Sequence, residues 1–129
     1  MNPGERVRVG ATPVAVTRLG LGSASLSGMF EPVSEEEAHA TIAEAWAKGI
    51  RFFDTAPLYG LGEGERRLGR ALAGRPREEL VVSTKVGRPA VPGVEFDFSR
   101  DGVLRSFEAS LERLALDRVD IVLLHDPEP

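Results

Sequence analysis

The fold is decided by one stretch of the chain, Arg51-Phe52-Phe53-Asp54-Thr55-Ala56-Pro57-Leu58-Tyr59-Gly60. Its apolar start predicts a short buried strand, which ends abruptly at the carboxylate of Asp54. The proline and the final glycine then predict a turn that holds Tyr59 near that strand end. Because a carboxylate is costly to desolvate without a partner, we expect Asp54 to meet a polar or cationic group from a neighbouring strand.

Two further apolar runs also end in ionisable side chains. The run Val81-Val82-Ser83-Thr84 ends at Lys85, and the run Ile121-Val122-Leu123-Leu124 ends at His125. Strands beginning near residues 19, 50, 80 and 119 alternate with helices, which predicts a parallel sheet with right-handed crossovers. A single residue of this kind is commonly a salt-bridged or solvated strand end. Three of them at the same end of neighbouring strands favour a functional site.

The remaining elements follow from local patterns. Residues 5–17 alternate polar and apolar positions around a turn, which predicts a β-hairpin with one face buried. Residues 19–23 predict the first strand of the parallel sheet, with glycines that permit close backbone approach. Ser34 and Glu37 form a capping box that begins a helix, and Trp46 lies on the apolar stripe of that helix and is expected in the core. The apolar run at residues 119–124 is typical of a strand that is buried on both faces.

Three arginines, Arg66, Arg67 and Arg70, follow the central strand on a predicted helix. They are compatible with a phosphate-binding site. A solvated helix face that pairs with nearby glutamates is the favoured interpretation.

Composition excludes several classes of protein. The chain has 129 residues, 42% hydrophobic and 28% charged, as expected for one globular domain. A net charge of −4 gives no reason to expect nucleic acid or an anionic membrane as a partner. There is no cysteine, and the two histidines lack ligand spacing, so no metal is expected. No signal-peptide core and no apolar run of about 18 residues is found, and we expect a cytoplasmic protein.

Three motifs resemble the catalytic tetrad of the aldo-keto reductases. They are Phe53-Asp54-Thr55-Ala56 with Tyr59-Gly60, Ser83-Thr84-Lys85-Val86-Gly87, and Asp120-Ile121-Val122-Leu123-Leu124-His125. The likeness extends from about Thr17 to the end of the chain. Residues 96–103 and the ending His125-Asp126-Pro127 further resemble the branch that oxidises free sugars at C1, the aldose or fucose dehydrogenases.

The resemblance implies a (β/α)8 barrel of the TIM type. Residues 1–129 would form the N-terminal half of that barrel domain, with about four β/α units after the hairpin. The implied activity is an NAD(P)-dependent interconversion of carbonyl and hydroxyl groups on a small carbonyl or sugar substrate, with oxidation of an aldose at C1 to a lactone as the specific reaction. Gly22, Ser23 and Asp54 would lie beside the nicotinamide, with tight packing of the first strand as the alternative explanation for Gly22 and Ser23. No G-x-G-x-x-G fingerprint is present.

The resemblance also implies a role for each tetrad residue. Tyr59 would act as general acid in reduction and as general base in sugar oxidation. A free phenol ionises only near pH 10, and a neighbouring ammonium such as that of Lys85 stabilises the phenolate. A buried lysine itself tends to lose its proton, so Asp54 would keep it charged. His125 would hydrogen-bond the reacting oxygen and orient the substrate.

Chain length leaves alternatives open. Barrels of this type usually have about 250 residues, and this sequence has 129. We expect either a fragment or a half barrel that covers its open sheet edges by association. In the family, most contacts to the rest of the cofactor come from the second half, so the chain alone is expected to bind NAD(P)H weakly or not at all. A non-catalytic binding or regulatory subunit, or a truncated product that does not fold alone, are the competing interpretations.

Overall fold

The computed structural model describes residues 1–128. Within them, a short antiparallel hairpin precedes three repeats in which a helix connects two parallel strands. The strands are β1 (Arg6–Arg8), β2 (Ala15–Thr17), β3 (Gly20–Gly22), β4 (Phe52–Asp54), β5 (Val81–Val86) and β6 (Ile121–Leu124), and the α-helices are α1 (Glu35–Ala47), α2 (Glu63–Leu72) and α3 (Arg100–Leu114).

The four later strands form one parallel sheet in the order β3-β4-β5-β6. Sequential strands lie side by side because each connecting helix returns the chain to the same end of the sheet. Gly22 is the register partner of Asp54, and Asp54 is the register partner of Ser83. This arrangement confirms the parallel α/β fold predicted from the alternating strand and helix patterns.

The hydrophobic core lies between the sheet and its helices. Phe53 and Val82 point from the sheet into it, and both are fully buried. Helix α2 packs between α1 and α3 and contributes Leu68, which is 1% exposed. Full burial of a side chain of this size stabilises the fold by about 1.5–3 kcal/mol. Because the core takes alternate residues of β4 and β5, the intervening residues point to the opposite face of the sheet.

The predicted capping box is confirmed at the start of α1. The Ser34 hydroxyl accepts a hydrogen bond from the Glu37 backbone N–H at 3.1 Å, and the Glu37 carboxylate accepts one from the Ser34 backbone N–H at 2.9 Å. Trp46, predicted in the core, is only half-buried. Its ring packs against the edge of the core and has the guanidinium groups of Arg51 and Arg75 at 3.6 and 4.6 Å from its centroid.

Two burial predictions are wrong. The last strand is not buried on both faces, because β5 is its sole strand neighbour among residues 1–128. Val122, Leu123 and Leu124 are therefore 45%, 46% and 58% exposed. In the hairpin, β1 is exposed along its whole length, and the buried face is limited to β2.

The three arginines of α2 are confirmed as a paired surface. Arg66 forms an ion pair with Glu63 at 3.6 Å, while Arg67 and Arg70 reach Glu35 on α1 at 3.3 and 2.9 Å. The exposed pairs of Arg66 and Arg70 contribute little to stability, whereas the Arg67 side chain is only 14% exposed. Across residues 1–128, no helix combines the length and the apolar character that a bilayer span requires.

Candidate active site

Strands β4 and β5 bring Asp54 and Lys85 into direct contact. The Lys85 ammonium donates hydrogen bonds to Asp54 Oδ2 at 2.7 Å and to the Thr55 carbonyl oxygen at 2.9 Å. The Ser83 hydroxyl donates to the other carboxylate oxygen of Asp54 at 2.5 Å. Ser83 and Lys85 reach the same carboxylate because residues two apart in a strand lie on one face.

The Asp54–Lys85 ion pair is partly withdrawn from water. The Lys85 side chain is 12% exposed and that of Asp54 is 30% exposed. Removal of a charge from water is unfavourable unless a counter-charge and hydrogen bonds replace the lost solvation. The carboxylate, the Thr55 carbonyl and the Ser83 hydroxyl supply them here, and charge-assisted hydrogen bonds are the strong ones. The arrangement therefore holds a cation at a defined place on the inner face of the sheet, which is the face opposite the helices.

Tyr59 and His125 lie around this cation. The Lys85 ammonium nitrogen is 5.1 Å from the centroid of the Tyr59 ring, within the range of a cation–π contact. The rings of Tyr59 and His125 meet edge to face, with centroids 5.9 Å apart and an interplanar angle of 83°. His125 follows β6, and its backbone N–H donates to the carbonyl of Val86 at 2.9 Å. The four residues singled out in the sequence thus form one cluster.

His125 is held toward its neutral form. Burial lowers its pKa from the ordinary value of 6.5, because the imidazolium loses solvation. Asp126 and Asp54 raise the pKa, and the cations of Lys85 and Arg88 lower it. The desolvation cause is the largest of these. At neutral pH the ring therefore offers one N–H donor and one acceptor nitrogen.

The lowered pKa of His125 predicts how stability depends on pH. The unfolded chain binds more protons than the native chain once the pH falls below the unfolded value of 6.5. The contribution of His125 to stability is therefore complete above that value and is lost as the pH falls through the folded pKa. We expect His125→Gln to flatten this part of the stability profile, measured by urea unfolding between about pH 8 and about pH 5. The exposed His39, changed to glutamine, is the matched control, and equal profiles for the two variants would contradict the assignment.

The residues predicted to hold the nicotinamide lie beside Asp54, on β3 and just after it. A Cβ added at Gly22 would meet no atom within 4 Å, so open space adjoins its backbone. Ser23 differs, because its hydroxyl is buried and donates to the hydroxyl of Thr55 at 2.7 Å. Its side chain therefore fixes the loop that begins at Thr55. The open space at Gly22, next to the Asp54 carboxylate, is compatible with an aromatic cofactor ring.

An open groove lies between the β4–α2 loop and the β5–α3 loop, and the four cluster residues do not line it. Its volume is about 620 Å³, and Leu58 and Leu61, which flank the Tyr59–Gly60 pair in sequence, line it together with Arg88. Arg88 forms an ion pair with Asp126 at 2.5 Å. Within residues 1–128, no group of three or more His, Asp or Glu side chains is arranged to hold a metal ion.

The contacts that Ser83 and Thr55 make in this cluster were missed by sequence reasoning. Ser83 lies two residues before Lys85 in a strand, which places both side chains on one face and is a detectable signal. The carbonyl of Thr55 carries no signal in the sequence, because any residue supplies one.

Comparisons with known proteins agree with this arrangement. The sequence profile of the aldo/keto reductase family matches residues 18–129. The chain is 42% identical over 139 residues to the D-threo-aldose 1-dehydrogenase of a Pseudomonas species, covering 92% of this chain and 42% of that protein. It is 44% identical over 122 residues to the L-galactose dehydrogenase of Arabidopsis thaliana, covering 93% of this chain and 37% of that protein.

Solved structures give the same result. A Pseudomonas aeruginosa protein described as an aldo-keto reductase superposes with a TM-score of 0.83 and 40% identity, covering 97% of this chain and 48% of that one. An aldo-keto reductase of Klebsiella pneumoniae, solved in complex with NADPH, superposes with a TM-score of 0.70 and 28% identity, covering 89% of this chain and 37% of that one. The chain spans less than half the length of these relatives. It belongs to the aldo/keto reductase family, and its parallel sheet corresponds to part of that family's (β/α)8 barrel.

Proposed function

We propose that this chain carries the catalytic cluster of an NAD(P)-dependent oxidoreductase that oxidises an aldose at C1 to a lactone. Residues 1–129 would be the N-terminal part of the barrel domain, with residues 5–17 as its hairpin. The observation that carries the proposal is the Lys85 ammonium, held 2.7 Å from the Asp54 carboxylate and 5.1 Å from the centroid of the Tyr59 ring.

Tyr59 is the group that exchanges a proton with the substrate. When a sugar is oxidised, C1 loses a hydride and its hydroxyl loses a proton, which the Tyr59 oxygen accepts as general base. In the reverse direction the Tyr59 hydroxyl donates that proton to the carbonyl oxygen. A positioned proton donor or acceptor contributes about 10²–10⁴-fold to a rate. A bound nicotinamide would take up or supply the hydride.

Lys85 acts on Tyr59 through its charge. A cation near the phenol stabilises the phenolate that forms when Tyr59 gives up its proton. The two hydrogen-bond acceptors of Lys85 are the Asp54 carboxylate on β4 and the carbonyl of Thr55, the next residue. Because the sheet holds both, the ammonium does not need to reorganise during the reaction. Asp54 supports Tyr59 only indirectly, because its carboxylate pairs with the Lys85 ammonium at 2.7 Å and holds it in position.

His125 orients the substrate. Its ring stands edge to face with Tyr59 and is held toward the neutral form by burial. A neutral imidazole N–H donates to a carbonyl or hydroxyl oxygen without adding a second positive charge beside Lys85. The substrate oxygen would then lie between the Tyr59 hydroxyl and the His125 ring.

The open space at Gly22 supports the cofactor part of the proposal. A nicotinamide ring would lie against the Gly22 backbone and beside Asp54. Ser23 would hold the loop after β4 through its hydrogen bond to Thr55. The family relationship and the NADPH complex of the Klebsiella pneumoniae relative support the same cofactor class. Oxidation of a sugar is favoured by the names of the two dehydrogenases to which the chain is 42% and 44% identical, and oxidation at C1 by the name of the first.

Association through the sheet edges stays a prediction. Strands β3 and β6 are the two ends of the sheet among the described residues, and the apolar side chains of β6 are exposed. Unpaired strand edges of this kind bind further strands. A second set of parallel strands is the partner that would close such a sheet.

The proposal predicts which substrates reduce the cofactor. In a complete barrel that contains residues 1–129, we expect NAD⁺ or NADP⁺ to be reduced when a free aldose is supplied, with a lactone as the product, as measured by nicotinamide absorbance and chromatography. The matched control is the corresponding sugar with C1 blocked as a methyl glycoside, which should give no turnover. Turnover with simple carbonyls alone would remove the sugar from the proposal, and no turnover with either class would remove the oxidoreductase function.

A further inference from the structure

Glu65 is a fully buried carboxylate that takes no part in the proposed chemistry. It lies in the first turn of α2 and is 0% exposed. One of its oxygens accepts a hydrogen bond from the Thr84 hydroxyl at 2.6 Å, and the other accepts one from Arg113 Nε at 2.6 Å. Burial of a carboxylate is costly without such partners, and loss of one partner leaves the other charge uncompensated. The start of α2 around Glu65 is therefore held in place by two other elements, β5 and α3.

The Thr84 contact lies directly behind the candidate site. Thr84 and Lys85 are consecutive on β5, so their side chains point to opposite faces of the sheet. Lys85 reaches Asp54 and the Thr55 carbonyl on the inner face. Glu65 holds Thr84, the residue before Lys85, from the helix-covered face of the sheet. The backbone that carries the Lys85 ammonium is thereby fixed from both sides.

The neighbouring Gly64 packs directly against Tyr59. Its backbone N–H donates to the Tyr59 carbonyl at 3.0 Å. A Cβ at this position would be 3.0 Å from Tyr59 Cβ, 3.2 Å from the backbone carbonyl oxygen of Tyr59 and 3.4 Å from Ser23 Oγ. The two contacts with Tyr59 are tighter than ordinary van der Waals distances, so a side chain would push Tyr59 by a few tenths of an ångström. Only a glycine leaves Tyr59 where it is.

We propose that the Gly64–Glu65 turn positions Tyr59 relative to Lys85, with Glu65 tying the turn to β5 and Gly64 receiving the Tyr59 backbone. Both are positioning residues, since neither reaches the substrate side of the sheet. The proposal rests on the proposed function of Tyr59 and Lys85 as the proton-exchanging pair. It adds that their separation is set by a buried carboxylate on the helix side of the sheet.

A pair of glycine variants on α2 tests this proposal. Gly64→Ala places a methyl group against Tyr59, whereas Gly69→Ala places one 2.5 Å from the carbonyl oxygen of Leu114 at the end of α3. Both changes disturb the packing of the same helix, but only the first touches Tyr59. Tyr59 is the only tyrosine of the chain, so tyrosine-specific isotope labelling gives one ring to follow by NMR. Because that ring stands edge to face with His125, its resonance responds to small displacements.

We expect Gly64→Ala to move the tyrosine resonance and to lower kcat by about tenfold, since a displacement of about 1 Å costs on the order of 10²-fold. Gly69→Ala should lower the melting temperature without moving that resonance or changing kcat per folded molecule. An unmoved resonance in folded Gly64→Ala, or an equal shift in both variants, would overturn the proposal. The NMR result does not depend on turnover, so it remains decisive even if the proposed reaction is wrong.

A second pair of variants tests the tie to β5. Glu65→Ala removes the partner of Thr84, and Glu65→Gln keeps a hydrogen-bonding amide of the same reach at Thr84 while losing the charge opposite Arg113. If the tie to Thr84 positions the pair, the tyrosine resonance and kcat should move in Glu65→Ala and return toward the native values in Glu65→Gln. A glutamine variant that is folded but as displaced as the alanine variant would show that Thr84 is not the positioning contact. If Glu65→Ala does not fold, the glycine pair still decides the question.

Discussion

In a complete barrel that contains residues 1–129, replacement of Tyr59 by phenylalanine is expected to lower kcat by about 10²–10⁴-fold, which is the usual contribution of a positioned general acid or base. The change removes a single hydroxyl and keeps the ring, so the edge-to-face contact with His125 and the contact with the Lys85 ammonium remain available. Cofactor affinity and the melting temperature should therefore stay close to the native values. Steady-state kinetics, a fluorescence titration with the reduced cofactor and a thermal melt measure the three quantities. A variant with near-native kcat would remove Tyr59 from the mechanism.

Replacement of Lys85 by methionine is expected to cost about as much as the Tyr59 change. Methionine has a similar length, but it removes the cation that faces the phenol and leaves Asp54 without its ion-pair partner. Since the ammonium acts only through the phenolate, its loss should matter little once the phenol is gone. The double variant Tyr59→Phe/Lys85→Met should therefore retain a kcat close to that of the worse single variant. Groups that act as one unit show this non-additivity.

The matched control is the same substitution at an exposed lysine. Lys48 pairs with Glu44 at 3.5 Å on the surface of α1, and its side chain is 70% exposed. Lys48→Met should leave kcat unchanged, alone and in combination with Tyr59→Phe, because solvated pairs contribute little. Additive losses from Tyr59→Phe and Lys85→Met would mean that the two residues serve separate steps, and the proposed coupling between ammonium and phenol would be wrong.

The sequence by itself determined the sheet and the place of the site. Apolar runs that end at Asp54, Lys85 and His125 are local signals, and the parallel fold follows from the helices between them. Since parallel strands end at one edge, three residues from distant parts of the chain could be expected to meet, and they do. The capping box at Ser34 could also be predicted from a local signal, because Ser34 and Glu37 are only three residues apart.

Burial and side-chain partners were decided only by the tertiary structure. Glu65 is one of two glutamates at the start of α2, and no local pattern distinguishes it from Glu63 as the one whose carboxylate is buried against Thr84 and Arg113. The apolar run of β6 likewise predicts a buried strand, yet its exposure depends on how many strands flank it. Periodicity records which residues share a face of one element. Which charge that face meets depends on contacts between segments far apart in the chain, and those exist only once the chain has folded.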